Sequence, residues 1–234
     1  MGRRKGLGMS VEYCVISIGT LSRNKLWGES AAVRTAHATT TAVFTEDRLI
    51  LVDPSLPATA LAAVFNERTG KQLADVTDVF CTTLRPVHRR SIAALPKARW
   101  WAHGEELAAY ALHLRGLLDS AERLDAQHAD GIQAELKLLG AFRPAPEEFD
   151  GQVTVYPLAG PSPGSAGLLL TPPTATIVIA GDAALTAEHV RRGQVWEGCA
   201  DIERARQSMA DFLELVDVIV PGHDNVMFSP GRWL

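Results

Sequence analysis

The stretch "CTTLRPVHRRS" at residues 81–91 ends a run rich in β-branched side chains and contains a single histidine, His88. The run "VTDVFCTT" at 76–83 predicts a strand, so His88 lies in the loop that leaves that strand. Two later loops, "GD" at 181–182 and "PGHD" at 221–224, also leave predicted strands. We therefore expect the three loops to bring polar side chains together.

The composition limits the classes of protein that the chain can represent. Its 234 residues are 47% hydrophobic, which is enough for one domain with a substantial core. The net charge of −4 argues against a nucleic-acid partner held by broad electrostatic attraction. No apolar run is long enough to span a membrane, and the three cysteines have no paired spacing that predicts a disulfide framework.

The first residues, "MGRRKGLG", are basic, but no apolar stretch follows them, so they are not a signal peptide. We expect residues 1–10 to be a disordered leader, with Met9 as an alternative to Met1 as the natural start. A cytoplasmic protein without membrane contact is the expectation that follows.

Strand and helix signals alternate along residues 11–234, which predicts one domain whose sheets are covered by helices. In the first half, strands are predicted at 11–20, 39–55 and 98–103, a hairpin turn at "TEDR", and helices at 57–70 and 104–118. In the second half, three strands are predicted between 152 and 182, a helix at 200–215 and a buried strand at 216–224. The segment 104–150 is the least regular and is interpreted as an irregular helical insertion.

Four stretches together resemble the metallo-β-lactamase superfamily: "TTLRPVH" (82–88), "GPSPGS" (160–165), "AGD" (180–182) and "VPGH" (220–223). Their order and spacing are similar to the T-H-x-H-x-D-H, G-H-T-P-G-S, G-D and P-G-H motifs of that family. The resemblance covers roughly 11–230. It implies an α/β (α+β) fold, an αββα sandwich of two mixed sheets flanked by helices.

The resemblance also implies a metal site from which most ligands have been lost. The family's first two signature histidines correspond to Thr83 and Arg85, its signature aspartate to Val87, and its loop histidine to Pro161. The last signature histidine, the bridging aspartate and the final histidine are retained, as His88, Asp182 and His223. The first metal position thus loses its three terminal ligands, while the second keeps three of four. We expect either no metal or one divalent ion (Zn, Fe or Mn) on the retained set.

The replacements have chemical consequences of their own. A protonated guanidinium is not a metal ligand, and two unit charges ~4 Å apart at an effective dielectric constant of ~20 interact by about 4 kcal/mol. Arg85 is therefore expected to replace the first ion and to pair with Asp182. Val87 supplies no ligand and no carboxylate to orient a water molecule, for which Asp224 is a candidate stand-in.

Several neighbouring residues have a structural and a functional interpretation. Asp53 is either the partner of a histidine or, the favoured interpretation, the cap of an Asp-Pro turn. Arg89 and Arg90 are expected to be solvated, and Cys81 to be buried and unreactive. Five further histidines show no ligand spacing and are expected to be structural or exposed: His37, His103, His113, His128 and His189.

Two functions remain open at this stage. The favoured one is a non-catalytic member, a pseudoenzyme, that binds a small molecule or a protein partner through the old cleft. The alternative is a mononuclear metal-dependent hydrolase of a small ester, thioester or lactone that uses His88, Asp182 and His223. Arg85, Asp182 and Asp224 are the candidates for chemistry in the cleft, and a homo-oligomer is an open alternative to a monomer.

Overall fold

The computed structural model of the protein describes residues 10–121 and 126–230. Residues 1–9 lie outside the described residues, so the predicted leader and the choice between Met1 and Met9 stay predictions. Within the described parts, no helix has both the length and the apolar character needed to cross a membrane.

The first sheet of the described chain has six strands in sequence order. They are β1 (Glu12–Ser17), β2 (Thr40–Phe44), β3 (Leu49–Val52), β4 (Asp78–Phe80), β5 (Arg99–Ala102) and β6 (Phe142–Pro144). Strands β1 to β3 pair antiparallel and β3 to β6 pair parallel, so the sheet is mixed. The predicted "TEDR" turn joins β2 to β3, where the amide of Thr45 donates to the carbonyl of Arg48 (3.0 Å).

The second sheet of the described chain also has six strands, in the order β12-β11-β10-β9-β8-β7. They are β7 (Glu148–Asp150), β8 (Val153–Pro157), β9 (Ala166–Leu170), β10 (Ile177–Gly181), β11 (Val218–Pro221) and β12 (Met227–Phe228). Strands β10 and β11 run parallel, and the other neighbours run antiparallel. The loops that follow β10 and β11 therefore leave the same edge of this sheet.

Helices cover both outer faces of the paired sheets. They are α1 (Ala58–Thr69), α2 (Gly104–Ala121), α3 (Ala126–Leu139), α4 (Ala187–Arg191) and α5 (Ile202–Leu215). Phe65 of α1 packs on the first sheet, and Phe212 of α5 packs on the second. Between the sheets, Phe80 packs with Leu168 in a core contributed by both. The predicted αββα sandwich of two mixed sheets flanked by helices is confirmed.

The segment 104–150 is more regular than the sequence predicted. It forms helices α2 and α3, and then β6 at the edge of the first sheet and β7 at the edge of the second. Each of these strands has three residues and buries one phenylalanine, Phe142 or Phe149. Because prolines and charges surround each phenylalanine, the segment carries almost no strand pattern. Its helical character was predicted, whereas strands β6 and β7 were not.

Candidate functional site

Three buried side chains meet where strands of the two sheets end. His88 closes a short 3-10 turn (Pro86–His88) after β4, while Asp182 follows β10 and His223 follows β11. One ligand atom from each of the three lies within 4.8 Å of the others, and all three residues are buried. The predicted convergence of these loops is confirmed, because sheet pairing brings together residues that are far apart in sequence.

Both imidazole rings turn Nε2 towards the same oxygen. The distance to Oδ1 of Asp182 is 3.2 Å from His88 and 3.1 Å from His223. Nδ1 of His223 faces the backbone carbonyls of His37 (2.9 Å) and Thr20 (3.2 Å), which can only accept a hydrogen bond. Because both partners are acceptors, we assign a proton to Nδ1 of His223.

The second ring nitrogen of His88 is held by Asp53, whose Oδ2 lies 2.9 Å from Nδ1. Asp53 itself accepts from the backbone amide of Thr82 (2.9 Å) and from its hydroxyl (2.7 Å), and its backbone has a positive φ of 50°. The favoured interpretation of Asp53 as a turn cap was wrong, because its carboxylate is directed across the sheet to His88 and Thr82. The alternative, a partner for a histidine, describes the structure.

The charges around His88 favour its protonated form. Burial alone would lower the pKa of His88, but the carboxylates of Asp182 and Asp53 outweigh burial and raise that pKa to about 10. Burial likewise opposes ionisation of Asp182, but His88 and His223 hold the pKa of its carboxyl group well below its usual range. These residues therefore form a buried network of compensating charges.

Arg85 completes the surroundings of Asp182. Its Nη1 donates to Oδ2 of Asp182 (2.7 Å), and its Nη2 donates to the carbonyl of Pro161 (2.5 Å). The guanidinium carbon lies 4.0 Å from the ring centroid of Trp196. The side chain of Arg85 is 26% exposed and that of Asp182 is 3% exposed. The predicted ion pair is present, and stacking on Trp196 fixes the plane of the guanidinium.

A further carboxylate near Arg85, that of Glu106, lies in the first turn of α2 and is buried. Its Oε1 accepts from the hydroxyl of Thr83 (2.8 Å) and the amide of Leu84 (2.9 Å). Its Oε2 accepts from the hydroxyl of Ser162 (2.7 Å) and the amide of Gly164 (3.3 Å). Sequence reasoning missed this residue, because nothing in "GEEL" distinguishes the buried Glu106 from the exposed Glu105.

The sequence pattern of the metallo-beta-lactamase superfamily matches residues 34–223 of the chain. This chain belongs to the metallo-β-lactamase superfamily. Among curated proteins, none matches the sequence significantly.

Solved structures of the same fold include lactonases. A Thermotoga maritima protein classed as a metallo-beta-lactamase is 16% identical, with 94% of this chain and 100% of that chain covered and a TM-score of 0.68. AidC, a dizinc quorum-quenching lactonase in complex with a product, is 16% identical over 82% of this chain and 74% of that chain, with a TM-score of 0.64. AiiA of B. thuringiensis, with N-decanoyl-L-homoserine at its active site, is 17% identical over 93% and 94%, with a TM-score of 0.63. At such identities the similarity establishes the fold.

The residues at the superfamily's first metal position do not fit an ion. The hydroxyl of Thr83 donates to Glu106, the backbone carbonyl of Pro161 accepts from Arg85, and the guanidinium of Arg85 also donates to Asp182. Neither threonine nor proline offers a nitrogen ligand, and the positive charge of Arg85 repels a cation.

The second position does fit one ion. The Nδ1 atoms of His88 and His223 face acceptors and both Nε2 atoms face Asp182, so each Nε2 would offer its lone pair to an ion once His88 has lost the proton that its carboxylate neighbours favour. Three protein ligands of this kind, two imidazoles and a carboxylate, are a set used for catalytic zinc and for Fe(II). An acceptor on the second nitrogen of each histidine is also what orients histidine ligands.

Among the described residues, none beyond His88, Asp182 and His223 joins this second set as a fourth ligand. Val87 is half-buried and apolar. Asp224, the predicted stand-in, uses its Oδ2 to accept from the amide of Ala187 (3.0 Å) and its Oδ1 to accept from the amide of Asn225 (2.8 Å). Asp224 is not part of the three-residue group. The carboxylate of Asp224 thus binds the start of α4, and its role as a stand-in stays a prediction.

A cleft of about 880 Å³ lies over the group, and Arg85, Asp182 and His223 contribute to its surface. Its walls come mainly from two segments, 21–26 and 194–198. At the rim, Nζ of Lys25 lies 2.5 Å from a carboxylate oxygen of Glu197, which joins the walls. The volume is in the range of small-molecule sites.

Arg89 and Arg90, neighbours in sequence, differ in burial. Arg89 is 5% exposed, pairs with Glu135 (2.6 Å) and donates to the carbonyl of Leu84 (2.6 Å), so the prediction that it is solvated was wrong. The compensating carboxylate comes from helix α3, which is far from Arg89 in the sequence. Arg90 is exposed, as expected.

The remaining histidines and Cys81 behave as predicted. Residues His113 and His128 are exposed, and His37 and His103 are half-buried. His189 is buried, with Nδ1 2.7 Å from the hydroxyl of Thr186, and it also lines the cleft. Cys81 is fully buried, and burial raises the pKa of its thiol.

Proposed function

We propose that the protein is a non-hydrolytic member of the superfamily that binds a small molecule in the cleft. The observation that carries this proposal is the ion pair between Arg85 and Asp182 at 2.7 Å. The resemblance places a bridging aspartate between two ions, whereas here one oxygen of that aspartate is occupied by a guanidinium. A permanent side-chain cation thus takes the place of an exchangeable metal.

Electrostatics makes a second ion incompatible with this arrangement. At ~4 Å and an effective dielectric constant of ~20, a unit charge and a divalent ion repel each other by about 8 kcal/mol. The ion would have to displace Arg85 from Asp182, from Pro161 and from its stack on Trp196. Chemistry that needs two ions is therefore not supported by the residues of this chain.

Activation of water is weakened as well. Val87 stands where the superfamily motif has an aspartate, and an isopropyl group neither binds an ion nor accepts a proton. Asp224 makes its contacts elsewhere. The cleft thus retains a binding volume without a described carboxylate free to act as a base on a bound water.

A mononuclear metal-dependent hydrolase is the second candidate, and one observation favours it. The Nδ1 atoms of both histidines are fixed by acceptors, and both Nε2 atoms converge on Asp182. A divalent cation held there would polarise the carbonyl group of an ester, thioester or lactone. Arg85 would then stand beside the reacting carbonyl as a fixed positive charge.

Hydrolysis assays separate the two candidates. Protein produced with zinc, iron and manganese supplied should hydrolyse p-nitrophenyl acetate, an acyl thioester and N-hexanoyl-L-homoserine lactone no faster than buffer with the same metal. Metal-dependent turnover that disappears in His88→Ala and persists in His113→Ala would establish the mononuclear hydrolase instead. His113 is the matched control because it is an exposed histidine on α2.

A further inference from the structure

The lining of the cleft differs in charge from the rest of the molecule. The chain carries a net charge of −4. The cleft, in contrast, is lined by four basic side chains and two acidic ones, namely Arg23, Lys25, Arg85, Arg206, Asp182 and Glu197. With neutral histidines, this lining has a surplus of two positive charges, one of which, that of Arg206, is paired with Glu203 outside the lining. A surplus of positive charge in a concave site favours anionic ligands.

The acidic members of the lining are already compensated. Glu197 lies 2.5 Å from Lys25 and 3.6 Å from Arg23. Asp182 accepts from Arg85 and faces two imidazoles. Neither carboxylate is left to attract a cationic ligand, so the lining has no site for an amine.

Arg85 retains hydrogen-bonding capacity towards the cleft. A guanidinium has five N–H donors, and two of those of Arg85 are used, one by Asp182 and one by Pro161. The remaining donors have no partner among the described residues. Because Trp196 stacks on the guanidinium plane, these donors keep a fixed direction without further loss of side-chain freedom.

The rest of the wall is largely apolar. Leu26, Leu185 and Val195 line the cleft together with the ring of Trp196. Such a surface gains free energy by burying hydrocarbon or aromatic groups of a ligand. The site therefore combines an apolar wall with one fixed cationic anchor.

We infer that the ligand is a small monoanion, an apolar body with one carboxylate, whose carboxylate binds the free N–H donors of Arg85. A monoanion is favoured over a dianion because Asp182 lies 2.7 Å from the same guanidinium and repels additional negative charge. The inference rests on the proposed function, since it assigns the ligand of the same cleft, but it does not depend on the presence of metal.

Two pairs of probes without a hydrolysable bond test the charge preference: octanoate against octan-1-ol, and phenylacetate against 2-phenylethanol. By titration calorimetry at low salt, each acid should bind about tenfold or more tightly than its alcohol, because charge-assisted hydrogen bonds contribute the difference. Equal binding within a pair, or no binding of either acid, would overturn the inference while leaving the absence of hydrolysis untouched.

The double variant Arg85→Gln/Asp182→Asn identifies the anchor. It removes both charges of the ion pair, so no buried carboxylate is left unpaired, and the preference for the acids should fall below about twofold. Arg204→Gln is the matched control, since Arg204 is an exposed arginine on α5 that does not line the cleft, and it should keep the preference. A preference that survives the double variant would place the anion elsewhere and refute the role of Arg85.

Discussion

Asp182 shows how a buried carboxylate at a strand end is compensated by its neighbours. One of its oxygens faces two imidazoles and the other faces the guanidinium of Arg85, although its side chain is only 3% exposed. A buried carboxylate without such partners would be strongly destabilising. The guanidinium of Arg85 thus balances the charge of this carboxylate.

The variant Arg85→Ala should lower the stability of the protein. It removes the donor to Oδ2 of the buried Asp182, and the unfolding free energy should fall by about 2 kcal/mol. Thermal and urea unfolding measure this change. The control is Arg90→Ala, which removes an exposed arginine five residues further along the same loop region. An Arg85→Ala protein as stable as Arg90→Ala would show that the ion pair contributes nothing.

The retained site residues could be predicted from the sequence, whereas their supporting residues could not. His88, Asp182 and His223 occupy motif positions, and the pairing of Arg85 with Asp182 follows from charge. Asp53 reaches His88 across the sheet, and local spacing gives no sign of this contact. Its Asp-Pro sequence points to a turn instead, which is why the local interpretation prevailed.

At the level of elements, strong local signals identified the long helices and the central strands. Helix α1 begins after Pro57 and ends at Gly70, which has the left-handed φ of 68° that glycine adopts readily. Strand β12 has two residues and α4 has five, too few for a periodic pattern, and neither was predicted. Strand β6 ends in a proline, which hides it in a sequence search for strands.

Glu106 connects helix α2 to two loops beside the candidate site. From the first turn of α2 it accepts hydrogen bonds from the loop after β4, through Thr83 and Leu84. It also accepts hydrogen bonds from the 160–165 loop, through Ser162 and Gly164. A carboxylate with four donors around it can thus hold both loops on the helix.

Loss of this carboxylate should loosen both loops. In Glu106→Ala four donors lose their acceptor, three of them on buried residues, and the unfolding free energy should fall by about 3 kcal/mol. Hydrogen exchange should show faster exchange of the Leu84 and Gly164 amides, which donate to this carboxylate. The matched control is Glu105→Ala, because Glu105 is exposed on the same turn. Equal exchange rates in the two variants would contradict this role.

At the scale of the whole molecule, the fold and the metal ligands depend on different residues. Structures with TM-scores of 0.68 and 0.64 share only 16% of aligned residues with this chain, because the sandwich needs buried apolar positions rather than specific side chains. Phe80, Leu168 and their neighbours maintain that core. The ligand positions at the strand ends lie outside it, so they can change without loss of the fold.

The fold therefore predicts where a metal ion would bind, and the three residues His88, Asp182 and His223 predict how many ions each chain can hold. Protein produced with zinc, iron and manganese, without chelator or histidine tag, should contain at most one ion per chain by elemental analysis, and occupancy should be partial. The ion should be absent from His88→Ala and His223→Ala but present in His113→Ala, which alters an exposed histidine.

The variant Val87→Asp should raise the metal occupancy, since it places a carboxylate where the superfamily motif has one. Two equivalents of metal in the unmodified protein would contradict the replacement of the first ion by Arg85, because an ion there would have to displace the guanidinium from Asp182.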